Sequence, residues 1–309
     1  MSDVIVRPYE GAADLRKMQE LVRAAWGPAV RPHVGGLAWS RFQHVGREAE
    51  WPTALWERDG DTLAWGWATP PGELEMFVHP ECPELADEVL DWFRGVAVGD
   101  ELGVTVLEGE RRLAAVLARH GYRREPEDAP FLLRMSRDLR DLPEPEVPPG
   151  FVVRHVRGEE DVPARVAVHR SAFAPSSVTE ESYRNVMGAW PYRCELDCVV
   201  EAPDGRLASY CLIWLDDANG VGELEPVGTH SDFRRMGLAR AASLYALHRL
   251  GEAGAVTAIV QPRGDAGYPV PARLYEALGF RTVDRTARYT RRRPDGPSHA
   301  PSPNPAGSP

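Results

Sequence analysis

The chain has 309 residues, of which 43% are hydrophobic and 27% charged, with a formal net charge of −10. That balance excludes wholesale disorder, and no apolar run approaches the roughly 20 residues that cross a bilayer. The negative charge argues against nucleic acid as a general partner, and at roughly 100–200 residues per domain the length predicts two domains. Lys17 is the only lysine among 36 basic residues. Schiff-base and P-loop lysine chemistry are thereby nearly excluded, and an anion site must use arginine or backbone N–H groups. Cys82, Cys194, Cys198 and Cys211 are too few for a disulfide scaffold and form no CxxC or Cys/His quartet. The start of the chain, Met1 to Pro8, lacks a basic region followed by an apolar one. The expectation is a reduced, cytoplasmic protein without a metal or a membrane partner.

In chain order, the pattern predicts a strand at Val4–Arg7 and an amphipathic helix at Ala12–Trp26, where Leu15, Met18, Leu21, Val22 and Ala25 recur at three and four. Strands follow at Thr53–Trp56 and Thr62–Thr69. Asp141 to Gly150 holds four prolines and reads as a stiff linker. Beyond it come strands Phe151–Arg154, Cys194–Glu201 and Arg206–Leu215, with Ala202-Pro203-Asp204-Gly205 as a hairpin turn. Then follow strand Leu224–Thr229, helix Gly237–Leu250, strand Ala255–Val260, helix Ala272–Leu278 and strand Phe280–Thr290. Pro294–Pro309 has no apolar periodicity and is expected to be a disordered tail. The division is therefore 1–140, linker 141–150, 151–293 and tail 294–309, each half an α/β domain.

The halves echo one another. Val4-Ile5-Val6-Arg7 resembles Phe151-Val152-Val153-Arg154, and at the same offset of 147 Asp14 meets Asp161 and Trp26 meets Phe173. Gly72-Glu73-Leu74-Glu75 recurs as Gly222-Glu223-Leu224-Glu225, and His120-Gly121-Tyr122-Arg123 echoes Leu278-Gly279-Phe280-Arg281. The shared order argues for an internal duplication.

The chemistry concentrates between Gly222 and Gly251. A strand runs into Thr229-His230-Ser231-Asp232-Phe233, then Arg234-Arg235-Met236-Gly237-Leu238-Ala239, and a helix begins at once. Small residues at a helix start converge several N–H donors on one point, and the helix dipole adds positive potential. Arg234, Arg235 and Arg240 add charge that the acidic chain otherwise lacks. The Arg-x-x-Gly-x-Ala pattern resembles motif A of the GNAT superfamily of acetyl-CoA-dependent N-acetyltransferases. Ala272-Arg273-Leu274-Tyr275-Glu276-Ala277-Leu278-Gly279-Phe280 resembles that family's Leu-Tyr-Glu-x-Leu-Gly-Phe close. The clear resemblance spans about 205–293 and a weaker one spans 151–293. It implies two GNAT-like domains, each a mixed, mostly antiparallel sheet flanked by helices, as in tandem enzymes of the mycothiol synthase type.

The resemblance further implies acetyl-CoA as acetyl donor. Backbone of Val227 or Thr229 would meet its pantetheine arm, and the segment Arg234, Arg235, Met236, Gly237, Leu238, Ala239 and Arg240 would hold its pyrophosphate. Pro226 suits a strand that splays from its neighbour. Strand alternation puts Glu223, Glu225 and Val227 on one face, so Glu225, with Glu223 second, is the candidate base for the acceptor amine. Tyr275 is the candidate acid for the departing thiolate, as in related enzymes. A departure from the family is Gln261 in place of a frequent asparagine, followed by a loop with three prolines.

The first half lacks the cradle. After Val78-His79-Pro80 it reads Glu81-Cys82-Pro83-Glu84-Leu85-Ala86-Asp87-Glu88, whose four carboxylates would repel a pyrophosphate. It reads as a degenerate domain carrying seven of the nine tryptophans, mostly as core or interface. Ser171 to Tyr192, with Phe173, Glu180, Glu181, Trp190 and Tyr192, is the expected acceptor region and suits a small amine. The expected activity is N-acetyl transfer to a primary amine by a monomer or homodimer. The alternatives are a non-catalytic CoA-binding module and a protein or peptide acetyltransferase. Nucleic-acid binding through Arg291-Arg292-Arg293 is disfavoured by the overall acidity.

Overall fold

A computed structural model describes residues 3–293; the tail expected over Pro294–Pro309 lies outside them. The first half opens with β1 (Ile5–Pro8), α1 (Ala12–Ala24) and α2 (Val34–Phe42). It continues with β2 (Thr53–Arg58), β3 (Asp61–Thr69), β4 (Glu73–Val78), α3 (Leu85–Val96), β5 (Glu101–Leu107), α4 (Arg111–Arg119), β6 (Arg123–Arg124) and β7 (Leu133–Asp138). The second half has β8 (Val152–His155), α5 (Val162–Ala172), α6 (Glu180–Gly188), β9 (Asp197–Glu201), β10 (Leu207–Asp216) and β11 (Val221–Thr229). It ends with α7 (Leu238–Glu252), β12 (Thr257–Val260), α8 (Val270–Ala277) and β13 (Arg281–Arg292). The expected strand beginning at Cys194 starts instead at Asp197, because Cys194–Leu196 forms a 3₁₀ turn.

Two local devices recur in both halves. In the first, an arginine in the opening strand gathers two carboxylates. Arg7 donates through Nη1 to Asp14 and through Nε to Glu57, both at 2.7 Å, and the Glu10 N–H donates to Asp14 at 2.7 Å. Arg154 donates through Nη1 to Asp161 at 2.6 Å and through Nε to Glu201 at 2.8 Å, while the Arg157 N–H donates to Asp161 at 2.7 Å. The Arg7 guanidinium holds the Glu57 carboxyl down to about 2. In the second device, α4 and α8 end alike, with left-handed Gly121 and Gly279. Gly121 and Tyr122 donate to the Ala118 and Leu117 carbonyls, and Gly279 and Phe280 donate to those of Glu276 and Tyr275. This pair of bonds satisfies carbonyls that a helix end leaves open. The same hydrogen bonds at matching sites are what a duplicated chain would retain.

The strands form one 13-stranded sheet in the order β1-β2-β3-β4-β5-β13-β7-β12-β11-β10-β9-β8, with β6 beside β13. The final strands of the two halves are exchanged. β7 pairs antiparallel with β12, Thr257 opposite Asp138 and Val260 opposite Met135. β13 runs beside β7 from Arg281 to Arg285, then beside β5 from Thr286 to Arg292. Neither half closes its sheet alone. The cores follow the same logic. One cluster packs α7 and α8 on β9–β12, and another packs α3 and α4 on β2–β5. A third crosses the halves, setting Ala38 and Trp39 of α2 among Val162, Val166, Tyr183, Leu212 and Trp214. Burying one such large apolar side chain contributes about 1.5–3 kcal/mol.

The exchange predicts how cut chains behave. Residues 1–140 and 151–309 produced separately each lack a strand that belongs between two others, so neither gives a cooperative thermal transition. Produced together, they co-purify as a 1:1 complex that melts cooperatively. A separately folded 151–309 fragment, monomeric and with dispersed amide resonances, contradicts the exchange.

Candidate active site

β11 pairs with β10 along nearly its whole length but with β12 only at Val221, Gly222 and Glu223. Beyond Glu223 the two parallel neighbours part, which is the expected splay. The split coincides with a bulge. Ile213 faces Leu224 and Cys211 faces Val227, so Leu212 opposes two residues, Glu225 and Pro226. An extra residue and a proline without an N–H both interrupt the ladder. Trp214 fixes the bulge by donating from Nε1 to the Glu225 carbonyl at 2.6 Å.

The two carboxylates of the strand have opposite environments. Glu223 is buried; it accepts from the Gly36 N–H at 3.1 Å and from Gln261 Nε2 at 3.0 Å, and His33 Nδ1 lies 3.4 Å away. Burial alone would raise its pKa, but His33, Arg134 and Gln261 together hold it below the ordinary value. Glu225 is half-buried, and no side-chain or backbone donor among the described residues bonds its carboxyl group. Burial, reinforced by the Glu223 charge, pushes it up to about 8. Tyr275 sits in the last turn of α8, its ring edge-on to Phe280 at 5.7 Å. Its side chain is 6% exposed. Burial, then Cys211, Glu225 and Tyr210, push the hydroxyl well above the ordinary tyrosine value. A group so shifted stays protonated at neutral pH.

At the end of the splayed strand, Ser231–Phe233 makes a 3₁₀ turn capped by His230, whose Nδ1 accepts from the Asp232 N–H at 3.2 Å. Arg235 (φ 63°) and Gly237 (φ 76°) both lie in the left-handed region, a backbone form that turns successive N–H groups to one side. From Arg234 to Arg240 no backbone N–H has an acceptor among the described residues; the first such bond of α7 is Ala241 N–H to the Gly237 carbonyl at 3.1 Å. A Cβ on Gly237 would meet nothing within 4 Å. Arg234, Arg235 and Met236 are exposed and Arg240 is half-buried. Arg234 reaches the Ala172 carbonyl at 3.4 Å, and no carboxylate among the described residues pairs with these three arginines. Leu238 points into the core at 1% exposure, so its N–H alone faces the turn. Val227 and Thr229 lie half-buried on the strand past the split. The donors, the gap and the two unpartnered acid–base groups fit a pyrophosphate with an extended arm.

The first half repeats the geometry without the chemistry. β4 meets β5 only at Glu73 and Leu74. There the equivalent carboxylates are neutralised, Glu73 by Arg288 and Glu75 by Arg31 at 2.8 Å. Beside them is a mainly apolar cavity of about 440 Å³ lined by Phe77, His79, Pro83, Glu110 and Leu113. The acceptor region divides. Phe173 is exposed, and Glu180 and Glu181 are on the surface, with Glu180 paired to Arg184. Trp190 lies under the Arg16 guanidinium, 3.3 Å from its ring centroid, and the Tyr192 hydroxyl turns inward, 3.5 Å from Asp197. Both therefore serve packing between elements. Arg291 and Arg293 are likewise occupied, donating to the carbonyls of His120, Ala97 and Arg94.

Sequence reasoning missed α2, the element of the first half that reaches this site. Its start packs so closely that a Cβ on Gly35 would lie 2.0 Å from Trp214 Cβ and one on Gly36 would lie 3.0 Å from Glu223 Oε2. The available signal was the Gly35-Gly36 pair behind the capping residue His33. Among the described residues no His, Cys, Asp and Glu cluster is arranged for a metal ion, and no helix is long and apolar enough to cross a membrane.

Residues 165–280 match the acetyltransferase (GNAT) family. The chain is 28% identical over 297 residues to the mycothiol acetyltransferase of Streptomyces avermitilis, spanning 91% of this chain and 92% of that protein. It is 34% identical over 185 residues to the mycothiol acetyltransferase of Kineococcus radiotolerans, 57% of each. Its fold resembles a tandem GNAT protein from the clavulanic acid biosynthesis pathway, with TM-score 0.64 at 17% identity over 94% of this chain and 98% of that one. It also resembles a GCN5-related N-acetyltransferase from Sphaerobacter thermophilus, with TM-score 0.60 at 19% identity over 94% and 96%. The splayed strand and the cradle lie within the residues that match the acetyltransferase (GNAT) family, and the fold of the whole chain is like that of a tandem GNAT protein.

Proposed function

We propose that this chain transfers an acetyl group from acetyl-CoA to the primary amine of a small molecule, in the gap beyond Glu223 between β11 and β12. The observation that carries the proposal is the run of acceptor-free N–H groups from Arg234 to Arg240 at the open end of that gap. The site belongs to 151–293, and 1–140 supplies a wall through α2 and no second cradle. Met236, Gly237, Leu238, Ala239 and Arg240 would offer N–H groups to the pyrophosphate, with Arg234 and Arg235 as counter-charge. The backbone of Val227 and Thr229 would line the arm. Acetyl-CoA, when bound, supplies the activated thioester. The relatives named mycothiol acetyltransferase support a small molecule over a polypeptide as acceptor.

The residues divide the proton work. Glu225, free of donors, takes the proton that the amine must lose. Tyr275, kept protonated by burial, gives one to the departing sulfur. Glu223 already accepts from Gly36 and Gln261; it therefore serves to orient the strand and to raise the proton affinity of Glu225 through its charge.

Two predictions follow from this division, read by free thiol released from acetyl-CoA across a panel of small amines. Glu225 must be ionised to act and holds its proton to about 8, so kcat/KM rises with pH through that region. Glu225→Gln removes this limb and lowers kcat by roughly 10²–10⁴-fold, whereas Glu223→Gln keeps the limb. Because folding favours the neutral acid, the stability Glu225 contributes at low pH is lost as pH rises through about 8. Glu225→Gln therefore melts no lower than the parent at pH 9, which separates lost chemistry from lost fold. The opposite pattern, with the limb abolished only in Glu223→Gln, would assign the base to Glu223. For Tyr275→Phe the expectation is a kcat lowered at least ~10²-fold with little change in the KM for acetyl-CoA. An unchanged kcat removes Tyr275 from the chemistry. Saturable acetyl-CoA binding without thiol release for any amine contradicts the transfer itself.

A further inference from the structure

We infer that the first half carries a second, separate binding site, for a small organic monoanion with a flat apolar body, centred on Arg41. Arg41 lies in the last turn of α2 and is 4% exposed. It is enclosed by rings rather than acids: its guanidinium carbon lies 3.9 Å from the Tyr9 ring centroid, 4.9 Å from that of Trp67 and 5.7 Å from that of Trp51. Nη1 donates to Thr53 Oγ1 at 3.2 Å, whereas the buried Nε–H has no acceptor. Arg165 Nη2 and the Nε of Arg23, Arg58, Arg94 and Arg249 also lack an acceptor, but the two other deeply buried arginines have stronger partners elsewhere on the guanidinium. Arg165 faces Asp197 at 2.9 Å, and Arg134 donates to the Val30 and Arg31 carbonyls. Aromatic faces offset part of the cost of burying a cation but do not accept its N–H bonds in the plane of the guanidinium.

Arg41 borders a cavity of about 440 Å³ whose walls include Tyr9, Trp51, Pro52 and Trp92. This is room for a small ring, and the lining supplies flat apolar surfaces. The charge balance limits the ligand to a single negative charge. Arg7, the other cation in the lining, is already bound to Asp14 and Glu57, and Glu48 stands exposed at the rim. A dianion would meet one free cation and one carboxylate. The cavity lies toward the other end of α2 from the Gly36 contact with Glu223, where β1 and β2 form the edge of the sheet farthest from β8 and six strands stand between β2 and β11. Burial lowers the proton affinity of Arg41 despite the opposing effects of Tyr9 and of Glu48 at the rim.

Isothermal titration of the full chain with benzoate, benzamide and phenyl phosphate tests the inference. The expected result is one benzoate per chain, unaffected by saturating acetyl-CoA. Benzamide and phenyl phosphate should bind at least ~10-fold more weakly, since one lacks the charge and the other adds a second. Arg41→Gln should weaken benzoate at least ~10-fold. Glu48→Gln, on the surface and harmless to folding, should tighten it about twofold by removing the rim charge. No benzoate binding, equal binding of benzamide, displacement by acetyl-CoA, or an affinity unmoved by Glu48→Gln would each overturn the site.

Discussion

The exchange of β7 and β13 is the constraint that makes this molecule one object. A twelve-residue strand begins beside β7 and ends beside β5, so both halves of the duplication share a single hydrogen-bonded sheet. Ladder bonds of this kind are obligatory for the backbone groups involved, because a buried N–H or C=O without a partner is costly. With the sheet continuous, α2 of the first half has a fixed place against β10 and β11 of the second. From that place Gly36 reaches Glu223, and Trp39 enters the core formed by α5 and α6. The linker rich in proline joins the halves in sequence; the exchanged strands join them in space.

A duplication would give one fold a proposed site in one half and a similar split without those groups in the other. Both halves open with an arginine bound to two carboxylates, both split their central parallel pair within a Glu-Leu-Glu segment, and both close a helix on a left-handed glycine. What differs is the polarity of the details. Where Glu225 has no partner, Glu75 has Arg31. Where Arg235 and Gly237 turn free N–H groups outward, the first half has prolines and acids. On the proposed function, charge separates the two splits, since a carboxylate neutralised by arginine is a poor base and an acidic loop repels phosphate. Net charge says little about this; three arginines at one helix start outweigh it locally.

Much of this was legible in the sequence because it is local. The Arg234–Ala239 turn, the Tyr275–Phe280 helix end and the Pro226 interruption are each written in a few consecutive residues whose backbone preferences dictate the geometry. The duplication was legible because Arg7, Asp14, Arg154 and Asp161 keep their spacing. The strand exchange was not: the strand at 133–138 was not read from the sequence, and the strand read at Phe280–Thr290 carries no sign of its partner, because partner choice is a property of the whole sheet. For the same reason Glu223 and Glu225, both carboxylates on one face of a strand, look equivalent in sequence. Partners distant in sequence distinguish them: Gly36 of α2, 187 residues upstream, and Gln261 past β12 both donate to Glu223. Trp190 and Tyr192 suggested an acceptor wall by type, yet Arg16 and Asp197 draw them into packing.

Amide hydrogen exchange with and without acetyl-CoA tests most directly the claim of one cradle in a duplicated sheet. The account predicts that adding acetyl-CoA slows exchange in the segment from Arg234 to Arg240, whose N–H groups lack protein acceptors, and leaves the corresponding stretch from Glu81 to Glu88 unchanged. Protection appearing in the first half instead, or in neither segment, would contradict it.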